Sequence, residues 1–272
     1  MKMVAASKLR RAQNAILKLR PYAVKLKTIL QNLSASLESL EDNPYAQQRN
    51  PEKILLVVIT SNRGLCGAFN TNIIKAALLR IDTEYRRQFD AGTLSIITIG
   101  RKGSEFFRKR EFNVISSYDS LFDTLTYDNA SAIASSIMQS FSEKKFDRVG
   151  VIYNQFQNAT VQRITNEQFL PIEAPAEDVV SNKNQVDYIF LPSKEEIVTD
   201  LIPKSLKIQF YKSVLDSYAS EHGARMTAMH QATDNAGQLI KELNLSYNKV
   251  RQAAITKEIL EIVGGAEALK NQ

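Results

Sequence analysis

The sequence is poor in the residues that build covalent and metal frameworks. Its 272 residues hold one cysteine, Cys66, and two histidines, His222 and His230. A single thiol excludes an internal disulfide framework and a multi-thiolate zinc site, and two imidazoles leave little for a histidine-based metal centre. Long apolar runs are missing too. The longest purely aliphatic stretch is Ile54–Ile59, far short of the ~20 residues that cross a bilayer as a helix. Acid is scarce at the start of the chain: the first acidic residue is Glu38, preceded by Lys2, Lys8, Arg10, Arg11, Lys18, Arg20, Lys25 and Lys27.

What is present has ordinary globular proportions. An apolar fraction of 44%, a charged fraction of 24% and a net charge of +6 exclude wholesale disorder. The acid-free basic start has the composition of an organelle transit peptide, but its apolar spacing argues otherwise. Ala5, Leu9, Ala12, Ile16, Leu19, Ala23, Leu26, Leu30, Leu33, Leu37 and Leu40 follow one another in alternating steps of four and three. That is the seam of a coiled-coil helix, and Pro21 inside it removes one backbone donor, so a kink is expected near Lys18–Arg20. A polar stretch with Pro44 and Pro51 then ends the helix.

From Lys53 the pattern is that of an α/β domain. The runs Ile54–Thr60, Leu94–Ile99 and Arg148–Tyr153 read as buried strands, with a short one at Asn113–Ser117. Helical stretches near Thr71–Phe89, Lys102–Arg110 and Tyr127–Lys144 alternate with them, which implies a parallel sheet with right-handed crossovers. Thr160–Phe169 and Val186–Leu191 alternate apolar and polar residues and predict an exposed hairpin or edge.

After Pro203 a helical seam resumes through Tyr211, Leu215, Tyr218, His222, Arg225, Met229, Ala232, Ala236, Ile240, Leu243, Tyr247, Val250 and Ala254. Residues 205–270 lack proline, and at ~1.5 Å per residue they form a rod of about 99 Å. No compact domain of this size needs so long a helix. The fold class is therefore α/β: a long antiparallel coiled coil of the N- and C-terminal helices with an inserted Rossmann-like domain. The expected divisions are an N-terminal helix over 1–42, a linker over 43–52, the α/β domain over 53–192 and the C-terminal helix over 204–272.

Nothing in this pattern reads as an active site. The loop Thr60–Asn70 sits where such folds bind ligands, but Gly64 and Gly67 are not followed by the Gly-Lys-Ser/Thr of a phosphate-binding loop, and Gly-x-Gly-x-x-Gly is absent. Cys66 has no histidine within the α/β segment to activate it. His222 and His230 are eight residues apart and miss the i, i+4 spacing of a helical metal pair. Asp234 and Glu242 have no carboxylate partner at catalytic spacing. No cofactor is expected. The basic N-terminal face has three readings at this point: a solvated coiled-coil face, a surface for an acidic protein, or a grip on nucleic acid. A coiled-coil scaffold and a nucleotide-dependent α/β enzyme are the competing functional classes.

Four segments resemble one family. Met1–Gln13 (MKMVAASKLRRAQ), Thr60–Asn70 (TSNRGLCGAFN), Ala224–Asn235 (ARMTAMHQATDN) and Asn248–Leu269 are similar to the gamma subunit of F-type ATP synthase. The resemblance implies a non-catalytic rotor that couples proton-driven rotation of a membrane c-ring to conformational change at the beta-subunit sites. It implies alpha and beta subunits, the epsilon subunit and the c-ring as partners, one copy per complex, and no nucleic acid. It implies a peripheral position on the cytoplasmic face of the bacterial inner membrane, the mitochondrial matrix face being the alternative. By the same resemblance, Met1, Arg225, Arg251, Gln252, Thr256 and Glu261 contact beta. The chloroplast type's regulatory cysteine pair is excluded by the single cysteine. Met1 opens in mid-pattern without a capping residue, and the unequal arm lengths lead us to expect further helical turns upstream of it in the native polypeptide.

Overall fold

The computed structural model describes residues 1–34, 44–172 and 194–270; the hairpin or edge segment expected at Val186–Leu191 and the seam positions Leu37 and Leu40 lie outside them. The chain divides into two units, Met1–Thr227 and Ala228–Gln272. In the first unit helix α1 (Lys2–Ser34) precedes the sheet and keeps Pro21 in its interior. Strands β1 (Ile54–Ile59), β2 (Leu94–Ile99), β3 (Val114–Ser117), β4 (Arg148–Phe156) and β5 (Gln162–Leu170) form one sheet of order β3-β2-β1-β4-β5. The first four strands are mutually parallel; β5 is antiparallel to β4 at the edge. Central β1 is buried along its whole length, as its unbroken Ile/Leu/Val run requires.

Alternate residues of β1 face opposite layers. Ile54, Leu56 and Val58 pack with Ile73, Ala77 and Ile81 of α2 (Phe69–Glu84) and with Phe107 of α4 (Arg101–Lys109). Leu55, Val57 and Ile59 pack with Ala130, Ala134, Ile137 and Phe141 of α5 (Tyr127–Ser142). The predicted single helix over 71–89 is interrupted at Tyr85, which separates α2 from the short α3 (Arg86–Asp90). Thr126 caps α5 by accepting the Asn129 N–H at 3.3 Å.

Helix α6 begins at Lys194, ahead of the expected start at 204, and carries Pro203 inside it. Ile202, Leu206, Phe210 and Val214, at four-residue steps, all join the sheet-facing core. Burial of that stripe outweighs the single hydrogen bond that proline removes. A second stripe, Leu215 and Ala219, packs on Leu9 and Ala12 of α1. The pairing is antiparallel. Lys8 acts electrostatically on Glu221, Arg11 on Tyr218, Arg20 on Asp216 and Tyr22 on Lys204, so rising numbers in α1 meet falling numbers in α6. Gly223 lets the β4–β5 hairpin approach this helix closely: a Cβ there would meet the Ala159 carbonyl oxygen at 3.1 Å and its Cα at 3.2 Å.

The second unit is the remainder of α6. It is helical through Lys270, and residues 230–267 are all exposed.

Candidate functional site

The loop after β1 occupies the carboxyl end of a parallel strand, the usual ligand position of such sheets. Its local chemistry closes it instead. Thr60 donates its N–H to the Ile99 carbonyl at 2.7 Å, while its hydroxyl accepts the Gly103 N–H at 2.9 Å. Gly100 adopts φ +101°, and a Cβ there would lie 2.3 Å from the Thr60 carbonyl oxygen. Backbone thus fills the space between the ends of β1 and β2, and no phosphate cradle is left.

Asn70, at the start of α2, braces the loop from within. Its Oδ1 accepts the Ser61 N–H at 2.9 Å, and its Nδ2 donates to Ser61 Oγ at 2.8 Å and to Cys66 Sγ at 3.3 Å. Cys66 is buried, and burial pushes its thiol pKa up, against the smaller effect of the Ser61 hydrogen bond. A thiol held protonated among a serine and an asparagine is a packing residue, not a nucleophile.

The braced loop is fastened to α6 by Arg225. Its Nη2 donates to the carbonyls of Arg63 and Gly64 at 3.1 and 3.3 Å, and its Nη1 pairs with Glu221 Oε1 at 2.7 Å. The Arg225 and Glu221 side chains are only 10% and 8% exposed, so this is a desolvated ion pair. Burial raises the Glu221 pKa, and the Arg225 charge opposes that rise. Arg225 Nη1 also lies 3.1 Å from His222 Nδ1. Guanidinium nitrogens only donate, so Nδ1 accepts and the imidazole proton is assigned to Nε2. Burial first, then Arg225 and Lys8, pull the His222 pKa down to about 3, leaving the ring neutral. Tyr218 meets it edge to face at 4.5 Å.

This arrangement positions; it has no group to transform a substrate. No group of three or more His, Cys, Asp or Glu residues able to hold a metal occurs among the described residues. Of the expected contact residues, Met1 is 76% exposed at the start of α1, whereas Arg225 has its guanidinium fully engaged inside the first unit. Arg251, Gln252, Thr256 and Glu261 are exposed on the helix of the second unit. Thr256 Oγ1 donates to the Gln252 carbonyl at 2.9 Å, and Glu261 lies 3.7 Å from Lys257. Sequence reasoning missed Glu221 and Asn70. The signal for Glu221 was its i, i+4 spacing to an arginine within an otherwise packing seam. Asn70 gave no such signal, because its role depends on how the loop turns back.

The second unit is marked by its apolar surface. Leu239, Ile240, Leu243, Leu245, Tyr247, Val250, Ile259, Leu260, Ile262 and Val263 are each more than half exposed. A helix of this kind has no core of its own to face.

The family model described as ATP synthase matches residues 1–269. The ATP synthase gamma chain of Cytophaga hutchinsonii is 56% identical over 272 residues, covering 100% of this chain and 92% of that one. The ATP synthase gamma chain of Flavobacterium psychrophilum is 55% identical over 270 residues, covering 99% and 92%. In fold, the chain resembles a component of the central stalk/c-ring structure of the Tetrahymena thermophila mitochondrial ATP synthase. There the TM-score is 0.61 at 24% identity, with 86% of this chain and 97% of that one covered. A chain of the Euglena gracilis mitochondrial enzyme gives a TM-score of 0.59 at 21% identity, covering 97% and 95%. With the clamped α/β domain, the antiparallel α1–α6 pair and a match over nearly the whole length, this chain belongs to the ATP synthase gamma chain family.

Proposed function

We propose that this chain is the central-stalk rotor subunit of a bacterial F-type ATP synthase. It turns with a c-ring driven by protons, in company with an epsilon subunit, inside a ring of alpha and beta subunits. It is non-catalytic, present once per complex, and peripheral on the cytoplasmic face of the plasma membrane. The observation that carries this reading is the second unit: a helix exposed over residues 230–267 and studded with large apolar side chains, which calls for a surrounding protein surface. Coupling by such a rotor is differential contact, since it shifts a site's equilibrium only by touching its states unequally.

Within this reading Met1, Arg251, Gln252, Thr256 and Glu261 touch beta subunits directly. Arg225 contributes through the helix it fixes, because its guanidinium is already spent on Glu221 and the loop carbonyls. The Arg251→Ala/Gln252→Ala double variant tests the assignment. Hydrogen bonds to charged groups are worth ~1.5–3 kcal/mol each, so the variant should impair assembly or ATP turnover of the complex while the isolated subunit keeps its helicity. Wild-type turnover in a fully assembled variant complex would refute it.

A further inference from the structure

At the opposite end of β1 from the clamped loop, the segment leading into the sheet and the ends of β4 and β5 enclose a cleft of about 230 Å³. Its polar lining comes from Gln48, Arg49, Asp147, Arg148 and Gln168. Both arginines are held by neutral partners. Arg148 donates Nε to Gln168 Oε1 at 2.6 Å, which fixes the plane of its guanidinium. Its two Nη groups make no hydrogen bond among the described residues. Arg49 lies 4.9 Å from the centre of the Phe141 ring, and donates Nη1 to the Phe141 carbonyl and Nη2 to Gln47 Oε1, each at 3.2 Å. Neither arginine is ion-paired among the described residues, although a carboxylate shares the cleft. That carboxylate, Asp147, uses Oδ2 to accept the Lys53 N–H at 2.8 Å.

We infer that this cleft is a binding site for a phosphate oxyanion. Two arginines line one concavity without an ion pair among the described residues, and Arg148 keeps both Nη groups available as the paired donors that oxyanions bind bidentately. Because the side chains are already anchored, binding does not have to order them. The volume is below the ~300–1,000 Å³ of pockets for drug-sized ligands, which favours a phosphate or pyrophosphate group over a whole nucleotide. Asp147 opposes the anion, so the site is of modest affinity and Asp147 sets it. The phosphate group is that of a free anion or of a phospholipid headgroup.

The test uses the purified full-length chain at low ionic strength. Inorganic phosphate and pyrophosphate are titrated calorimetrically, and flotation compares phosphatidylcholine vesicles with and without phosphatidic acid. Calorimetric binding identifies the free anion as a source; binding only to the phosphatidic acid vesicles identifies the headgroup. In whichever arm binds, Arg148→Gln should weaken affinity at least about tenfold, the loss of one charge-assisted contact. Asp147→Asn, which keeps an acceptor for the Lys53 N–H, should tighten it roughly two- to fivefold. Circular dichroism confirms that both variants fold. No binding in either arm, or equal binding by wild type and Arg148→Gln, overturns the inference.

Discussion

Helix α6 contains two regions of one continuous secondary structure with opposite surroundings. Residues 202–225 lie against the sheet and α1, so even Ser213, Asp216, Ser220, Glu221 and His222 are buried. Residues 230–267 are exposed all round although leucine, isoleucine and valine recur through them. Apolar content alone therefore does not say which part of a helix is core. In the first region stability comes from packing within the chain; in the second, apolar side chains are available to something outside it.

Breaking the buried ion pair should give the largest difference between the regions. Arg225→Ala leaves Glu221 as an uncompensated buried charge, and loss of one partner of such a pair costs about 3–5 kcal/mol. Denaturant unfolding should show that loss, and Arg225→Met with Glu221→Gln should recover much of it. Lys257→Ala, which removes an ion pair whose side chains are 78% and 67% exposed, should leave the unfolding midpoint unchanged.

A matched pair of apolar truncations sharpens the contrast. Phe210→Ala removes a fully buried ring from the sheet-facing core and should destabilise by about 3–5 kcal/mol. Leu243→Ala, at a position 59% exposed, should shift the isolated chain's stability by about 0.5 kcal/mol or less. If the second region is covered in the assembled complex, Leu243→Ala should lower complex stability instead.

The buried region also carries a pH dependence that the exposed region lacks the burial to produce. Desolvation raises the Asp216 carboxyl pKa from 3.8 to about 6; Lys212 and Arg20 oppose this and Glu167 adds to it. The folded state thus holds that proton more tightly than the unfolded chain. The resulting stability is present below pH ~4 and is lost as pH rises through about 6. His222 has the opposite sign: its pKa falls from 6.5 to about 3, so its contribution, present above 6.5, is lost as pH falls towards 3. The two oppose each other between about pH 4 and 6. Asp216→Asn should raise stability at pH 7 and unmask a steady loss on acidification below 6.5, read from unfolding midpoints across that range.

The smallest effect on coupled turnover is expected at Cys66. With a thiol pKa raised by burial, and with hydrogen-bond contacts to Ser61, Asn70 and the Arg63 carbonyl, the Cys66→Ala variant should keep coupled turnover within a small factor. Turnover of the wild-type complex should be insensitive to reductant. A reductant response that the substitution abolishes would contradict the packing role.

Strands β1 and β2 were legible because each is a short run rich in β-branched residues and leucine, and both match the residues expected of them almost end to end. The α1 seam was legible for the same kind of reason: Ala5, Leu9, Ala12 and Leu26 are all buried. The start of α6 was not, since a proline rule is local and the packing of Ile202 and Leu206 that overrides it is not. The basic N-terminal face showed its charge in sequence, but not that Lys8 and Arg11 approach Glu221 and Tyr218.

What the sequence by itself determined is periodicity: two helical seams, an alternating α/β centre, and a loop without the means to bind phosphate at the end of β1. Those follow from side-chain spacing, which backbone geometry converts directly into faces. Tertiary structure decided which charges are buried. Arg225 could have been one more exposed cation on a long helix. It became a clamp because the β1 loop, closed by Gly100 and braced by Asn70, brings two backbone carbonyls to it while Glu221 lies one turn away. Such a convergence joins positions more than 150 residues apart, and desolvation makes it strong; neither is encoded in the local pattern of the chain.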